Sequence, residues 1–207
     1  MDKGNLSVLG ELGEVAIEAV MDDGVLRDVP ILSTVVGVGK CIKNVSDVLF
    51  AKKLIAFLYG LKDADAQRRE EAIAKWESDS KYRIRVGETL LNMVHRCDDT
   101  QKARWLSQLF CALVLKRGNG DMFMRAEKVL SSLSVMDVYA FLAQPKDKYK
   151  ELSLEDGELY ANCGLYRMVN VESNVDDEGY MSFPEVKMQI AEVGMWIYEI
   201  LNERNER

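Results

Sequence analysis

The chain has 207 residues, of which 48% are hydrophobic and 29% charged, and its formal net charge is −7. This composition is typical of a folded globular chain with one large domain, or with a main domain and a small appendage. The excess of acid argues against a general nucleic-acid binder, because phosphate contacts require a basic surface.

The first residues of the sequence, the length of its uncharged runs and the spacing of its cysteines favour a cytoplasmic protein. The first residues lack a basic segment followed by an apolar core, so we expect no signal peptide. The longest uncharged run, Val29 to Gly39, is shorter than the about 20 residues that a spanning helix needs. No CxxC pair occurs, which predicts reduced core thiols at all four cysteines, Cys41, Cys97, Cys111 and Cys163.

The densest apolar run predicts the central helix of a bundle. It follows a first helix from Leu6 to Met21, begins after the capping residue Asp28 and has Pro30 in its first turn. Its buried face repeats at 3.6-residue spacing and consists of Ile31, Val35, Val38, Ile42 and Val45. A second row of small residues would let another helix approach closely, and its members are Ser33, Gly37 and Cys41.

Capping and glycine signals separate the helices that follow. A segment capped by Ser46 or Asp47 runs to Leu61. The further predicted helices are 63–78, 80–97, 100–117, 121–133 and 134–142. Together with the central helix they form the first predicted domain, residues 1–145, a multi-helix bundle.

Residues 146–207 form the second predicted domain, an acidic tail. This tail has 7 Lys and Arg against 14 Asp and Glu, whereas the rest of the chain is balanced. A short helix from Glu155 to Cys163 ends at Gly164, and residues 165–171 have strand composition. Residues 186–190 fit a return strand but also a helix, so both alternatives stay open before a terminal helix over 192–203. The predicted fold is mainly α with a small α+β tail.

Two segments of this tail carry a family resemblance. They are Leu159-Tyr160-Ala161-Asn162-Cys163-Gly164-Leu165 and, after the predicted hairpin, Met188-Gln189-Ile190-Ala191-Glu192-Val193-Gly194. Their order, a short helix ending in glycine, a hairpin and a helix with an early glycine, resembles a winged helix. The resemblance implies that the short acidic helix takes the place of the recognition helix.

The N-terminal half is similar to small uncharacterised bacterial proteins of mobile elements, prophages and defence loci. The similarity rests on Asp22-Asp23-Gly24, then Asp28-Val29-Pro30 and the hydrophobic helix. It implies a bacterial or phage origin and transfers no functional residue.

The sequence offers no catalytic set, so we predict that the protein is not an enzyme. His95 is the only histidine, and a metal or base site would need further converging ligands. Gly39-Lys40 is followed by Cys41, which does not complete the phosphate-loop pattern GxxxxGK[ST]. We therefore expect no cofactor, no metal and no catalytic residue.

The acidic segment from Asn174 to Glu185 allows two interpretations. Its oxygen-bearing side chains have the spacing of a calcium loop, with Gly179 at the turn. The other interpretation, which we favour, is a solvated hairpin loop.

The candidate partner-binding residues lie on and after the short acidic helix. They are Glu155, Asp156, Glu158, Leu159, Tyr160 and Tyr166. Carboxylates beside apolar and aromatic side chains suit a basic protein partner or self-association, and they repel nucleic acid.

These observations predict a non-enzymatic cytoplasmic interaction module, a regulator related to phage or phage defence, that binds neither nucleic acid nor membrane. One alternative is a membrane-acting helical effector that inserts its first helix and Ile31 to Ile42, with small residues packing helices in lipid. The other alternative is a winged-helix DNA-binding regulator.

Overall fold

The computed structural model describes residues 45–62, 80–147, 149–172 and 185–203. Within these residues the fold is mainly α with one small antiparallel sheet, which confirms the predicted fold class. The predicted first helix, the central helix from Ile31 to Val45 and the polar helix over 63–78 lie outside the described residues.

Two compact units divide the chain, unit 1 over Met1–Asn119 and unit 2 over Gly120–Arg207. Residues 120–145, which the sequence assigned to the helical bundle, therefore belong with the tail. The physical reason is that their helices bury apolar and aromatic side chains against the strands and the terminal helix of unit 2.

The described part of unit 1 contains three helices, α1 (Val45–Lys62), α2 (Ser80–Arg96) and α3 (Thr100–Val114). Helix α1 packs against both of the others. The side chains buried between them are aliphatic or aromatic and include Leu54, Phe57, Leu58, Leu90, Val94, Leu106 and Leu109. These helices agree with the segments that apolar spacing predicted, although α3 ends at Val114 rather than at Arg117.

A glycine allows the close approach of α1 and α3. A Cβ atom at Gly60 would overlap the Ser107 hydroxyl and lie 3.3 Å from the Arg104 carbonyl oxygen. Ser107 is fully buried, and its Oγ donates to the Arg104 carbonyl over 2.7 Å. The two helix backbones therefore meet at a position where only glycine fits.

A lysine joins α1 to the end of α2. The Lys53 Nζ donates to the carbonyl oxygens of His95 at 2.7 Å and of Cys97 at 2.6 Å. Carbonyls in the last turn of a helix have no partner within the helix, and a cation there also meets the negative end of the helix dipole. The lysine thus caps α2 from the neighbouring helix.

The C-terminal end of α3 has a left-handed residue that is not glycine. Lys116 has φ 57°, and its N–H donates to the Leu113 carbonyl at 3.0 Å. The Arg117 N–H donates to the Ala112 carbonyl at 2.9 Å. This pair of hydrogen bonds is the Schellman arrangement, in which glycine is the usual left-handed residue.

Unit 2 contains four described helices and three strands. In chain order they are α4 (Gly120–Ser132), α5 (Val135–Leu142), β1 (Tyr149–Ser153), α6 (Leu154–Cys163), β2 (Tyr166–Glu172), β3 (Glu185–Ile190) and α7 (Glu192–Asn202). The sheet has the order β1-β3-β2, and both pairings are antiparallel. Residues 186–190 are thus a strand, which resolves the alternative left open by the sequence, and β1 is a strand that the sequence did not predict.

Strand β2 contains an irregularity at Val169. Its register on β3 shifts between Met168 and Asn170, which leaves Val169 without an opposite residue. Val169 is 52% exposed and Met168 44% exposed. A bulge of this kind bends the strand and increases its local twist.

Aromatic rings and the terminal helix close the core of unit 2. The Phe141 ring has its centroid within 5.9 Å of the centroids of Tyr166 and Tyr198, both in edge-on geometry. Helix α7 buries the face that the sequence predicted, Val193, Trp196, Ile197, Ile200 and Leu201. A Cβ atom at Gly194 would overlap the Leu165 carbonyl oxygen, so the first turn of α7 packs closely against the backbone at Leu165.

Candidate partner-binding surface

Helix α6 is fixed at both ends by its own residues. The Ser153 Oγ accepts from the Asp156 N–H at 3.1 Å and donates to the Asp156 carboxylate at 2.9 Å. At the other end Gly164 takes φ 90°, and the Leu165 N–H donates to the Tyr160 carbonyl at 3.0 Å. Asp156, one of the six candidate residues, therefore has a structural role as part of the N-terminal cap.

Three of the six candidates lie on one exposed face of α6. Glu155 and Glu158 are exposed, and the Leu159 side chain is 37% exposed. Positions three and four apart are neighbours on a helix surface, so these side chains form one patch. The structure therefore brings together two carboxylates and one leucine from the predicted set.

The two tyrosines of the predicted set do not belong to that surface. Tyr160 is 4% exposed and Tyr166 is 3% exposed, and both rings contact the ring of Phe141. The structure therefore places both rings in the hydrophobic core of unit 2 and apart from the exposed candidate residues on α6. Burial raises the pKa of Tyr160 and raises the pKa of Tyr166 to about 12.

Polar groups around Gln144 hold the buried phenols in place. The Gln144 Oε1 accepts from the Lys150 Nζ at 2.8 Å and from the Tyr166 hydroxyl at 3.4 Å. The Gln144 carbonyl accepts from the Tyr198 hydroxyl at 2.9 Å. Buried hydroxyls without a partner would be costly, so this network lets the core contain tyrosine.

Helix α5 has an exposed apolar face that the sequence prediction missed. Met136 is 73% exposed, and Tyr139, Ala140 and Ala143 are exposed on the same side, at the spacing of one helix face. The opposite face, with Val138, Phe141 and Leu142, is buried. The signal in the sequence was the nearly uniform apolar character of α5, which is unusual for a helix with only one covered face.

The negative charge of the chain belongs to unit 2. Its sequence contains 9 Lys and Arg against 17 Asp and Glu, whereas the sequence of unit 1 contains 18 against 17. The acidic face of α6 thus lies in the unit that carries the excess of acid.

The other candidate sites from the sequence gain no support as catalytic or metal centres. His95 is exposed, with its ring centroid 5.5 Å from that of Phe50. Among the described residues, no three metal-binding side chains cluster. The Gly39-Lys40 segment and the loop from Asn174 to Ser182 lie outside the described ranges.

Three cysteines fall within the described residues and are thiols. Cys111 is buried, while Cys97 and Cys163 are half-buried. The Cys97 Sγ donates to the Met93 carbonyl oxygen of α2 and the Cys163 Sγ to the Tyr160 carbonyl oxygen of α6, each at 3.4 Å. Burial raises the pKa of the Cys163 thiol, which lowers its reactivity as a nucleophile.

In the described parts of the chain, no helix has both the length and the apolar content that crossing a bilayer requires. No family model matches the sequence, and neither a curated protein nor a solved structure is significantly similar to it. The winged-helix and mobile-element resemblances stay predictions from the sequence.

Proposed function

We propose that the protein is a non-enzymatic interaction module whose unit 2 binds a basic protein partner through α6. The observation that carries the proposal is the exposed patch of Glu155, Glu158 and Leu159 on a helix whose ends are fixed. A helix with capped ends presents these side chains without an additional cost of ordering the backbone on binding.

Electrostatics decide which class of partner is favoured. Carboxylates on α6, in a unit whose sequence has 17 acidic against 9 basic residues, attract a cationic protein and accelerate the encounter. The same charges repel the phosphate backbone, which disfavours α6 as a DNA recognition helix even if unit 2 has a winged-helix relationship.

The compartment that we propose is the cytoplasm. The supporting observation is that the four cysteines are widely spaced and form no CxxC pair. Regulation within a bacterial mobile element or a phage-defence locus is the setting suggested by the sequence resemblance alone.

The test is affinity capture from a host-cell lysate with the full chain as bait. The bait variant E155K/E158K reverses the α6 patch, and the matched control D147K/E151K reverses two exposed acids elsewhere in unit 2. We expect a basic protein to be captured by the wild type and the control, to be lost with the α6 variant, and to elute as salt is raised.

Two results would contradict the proposal. One is a captured set that the α6 reversal leaves unchanged, with all baits folded by circular dichroism. The other is retardation of duplex DNA in a gel shift at about 100 mM salt, which would favour the DNA-binding alternative.

A further inference from the structure

An asparagine followed by a glycine stands at the start of α4. Gly120 is the first residue of the helix, so Asn119 occupies its N-cap position. Both residues are exposed. Asparagine is a common residue at such a position, but the glycine after it is not explained by helix formation, since glycine disfavours a helix.

Neither packing nor backbone conformation requires glycine at position 120. A Cβ atom built at Gly120 would meet no atom within 4 Å. Among the described glycines, a positive φ occurs at Gly164 and not at Gly120. An alanine would therefore fit at position 120 and would favour the helix. What the glycine provides instead is a backbone nitrogen that no side chain of its own residue shields.

The nitrogen of Gly120 is also outside the hydrogen-bond ladder of α4. The first N–H groups of a helix have no acceptor within the helix, because the carbonyls that they would reach precede its first turn. In the chain this nitrogen follows the main-chain carbonyl of Asn119. A bond from it to the side-chain carbonyl carbon of Asn119 would close a succinimide ring.

We propose that Asn119 is a site of spontaneous deamidation, in which the Gly120 backbone nitrogen attacks the Asn119 side-chain carbonyl carbon. The new N–C bond closes the succinimide ring, and the bond from that carbon to Nδ2 breaks. The Nδ2 amino group leaves as ammonia, with the proton that the Gly120 nitrogen has lost. This inference is independent of the proposed function.

Water then opens the ring at either of its carbonyl carbons. Attack at the former side-chain carbonyl gives aspartate, and attack at the main-chain carbonyl gives isoaspartate, whose backbone runs through the former side chain. Water is the only co-reactant, and neither an oxidant nor a reductant takes part. Both products carry a carboxylate where the chain had a neutral amide.

The two products differ in their effect on α4. Aspartate caps a helix about as well as asparagine, and its charge is favourable at the positive end of the helix dipole. Isoaspartate adds a carbon atom to the backbone ahead of Gly120, so the carboxylate no longer has the geometry of an N-cap side chain. Deamidation thus leaves the start of α4 intact in one product and disturbs it in the other.

Asn92 provides a comparison within the same chain. It is exposed like Asn119, but it lies in the interior of α2 and is followed by Met93. In a helix interior the N–H of each residue donates to the carbonyl four residues earlier, and the side chain of Met93 crowds its own nitrogen. Ring closure at Asn92 is therefore opposed by the helix and by the residue that follows.

The test follows the full chain over time at physiological temperature and pH, with its fold monitored by circular dichroism. Trypsin cleavage after Arg117 and Arg125 releases a peptide whose one asparagine is Asn119, and cleavage after Arg85 and Arg96 releases one whose one asparagine is Asn92. Mass spectrometry measures conversion of each, and a sample digested at zero time corrects for conversion during digestion. We expect Asn119 to convert about tenfold or more faster than Asn92, with isoaspartate among its products.

Variants separate the ring mechanism from direct hydrolysis of the amide. G120A keeps the asparagine and should fold at least as well as the wild type, but it should slow conversion about tenfold or more. G118A changes the glycine on the other side of Asn119 and serves as the matched control, with an unchanged rate. N119D marks the elution of the aspartate product in ion-exchange chromatography.

Two results would overturn the inference. If Asn119 in the folded chain converts no faster than Asn92, the start of α4 holds the side chain away from the Gly120 nitrogen. If G120A converts at the rate of the wild type and no isoaspartate forms, the amide is lost without a succinimide, and the glycine has no part in the reaction.

Discussion

Lys116 and Gly164 take the same left-handed backbone conformation at the ends of two helices, one in each unit, with φ 57° and 90°. Each donates its N–H to the carbonyl three residues earlier, and each following N–H reaches the carbonyl five residues earlier. The two helix ends thus share one hydrogen-bond pattern, although one uses glycine and the other a residue with a Cβ.

Replacing Lys116 with glycine should therefore stabilise unit 1. A left-handed conformation costs a residue with a Cβ about 1–2 kcal/mol, and glycine avoids this cost while losing more entropy on folding. We expect K116G to raise the free energy of unfolding by about 1 kcal/mol in urea denaturation. K116A, which keeps the Cβ, should stay within about 0.5 kcal/mol of the wild type. Equal stability of K116G and K116A would argue against strain at this position.

The opposite effect on stability is expected when Gly164 is replaced with alanine. G164A introduces a Cβ into the left-handed position, where open space surrounds it, so only the backbone conformation is affected. Its free energy of unfolding should fall by about 1 kcal/mol. An unchanged midpoint in urea would contradict the left-handed cap of α6.

Because Gly60 contacts Ser107, a single methyl group added at Gly60 should lower the stability of the protein. We expect G60A to lower the free energy of unfolding by about 1–3 kcal/mol, because α1 and α3 must move apart. In the S107A background, which lacks the overlapping hydroxyl, the penalty of G60A should be smaller by at least about 0.5 kcal/mol. Strict additivity of the two substitutions would show that the helices do not meet at this point.

Lys53 and its neighbour Lys52 offer a matched pair of substitutions. K53M removes the cation that caps the His95 and Cys97 carbonyls and should lower the free energy of unfolding by about 1 kcal/mol. K52M changes an exposed lysine one residue away and should have little effect. Equal stability of the two variants would show that Lys53 does not stabilise the protein by capping α2.

Alkaline pH should destabilise unit 2 through Tyr166. Burial raises its pKa in the folded protein to about 12, above the ordinary tyrosine value of 10.0. Between these values the unfolded chain releases the proton while the folded chain keeps it, so the free energy of unfolding falls as pH rises. Below pH 10 this group contributes no pH dependence.

Urea denaturation at pH 9 and pH 11 tests this effect. Y166F, which has no phenol to ionise, should show a smaller loss of stability between the two pH values than the wild type. Y149F serves as the control at a tyrosine that is 45% exposed, and it should follow the wild type. If Y166F loses as much stability as the wild type, another group causes the alkaline loss.

The helices could be predicted from sequence wherever a local signal defined their ends. Ser134 caps α5 through a reciprocal hydrogen bond with Asp137, and Gly164 ends α6, as their residue types indicated. The end of α3 could not be predicted in this way, because lysine is not a residue type that indicates a left-handed helix end. The sequence therefore predicted α3 about one turn too long.

Features that depend on distant residues were harder to predict. Strand β1 has the sequence YKELS, which is mostly polar, and it is a strand because its backbone pairs with β3 across a large separation in the chain. Tyr160 and Tyr166 look like surface anchors in the sequence, yet both pack on Phe141. Conversely, Met136 looks like a core residue, but the local pattern does not show which side of α5 is exposed.

The bulge at Val169 has a consequence for how the sheet of unit 2 can associate. Both β1 and β2 are outer strands, and an outer strand with regular, unpaired backbone groups is a template for adding a strand from another chain. The shifted register of β2 interrupts the even spacing of its N–H and C=O groups, and β1 offers only five residues, two of them charged. The addition of a strand from another chain, and with it fibril growth, is thereby discouraged at both edges of the described sheet.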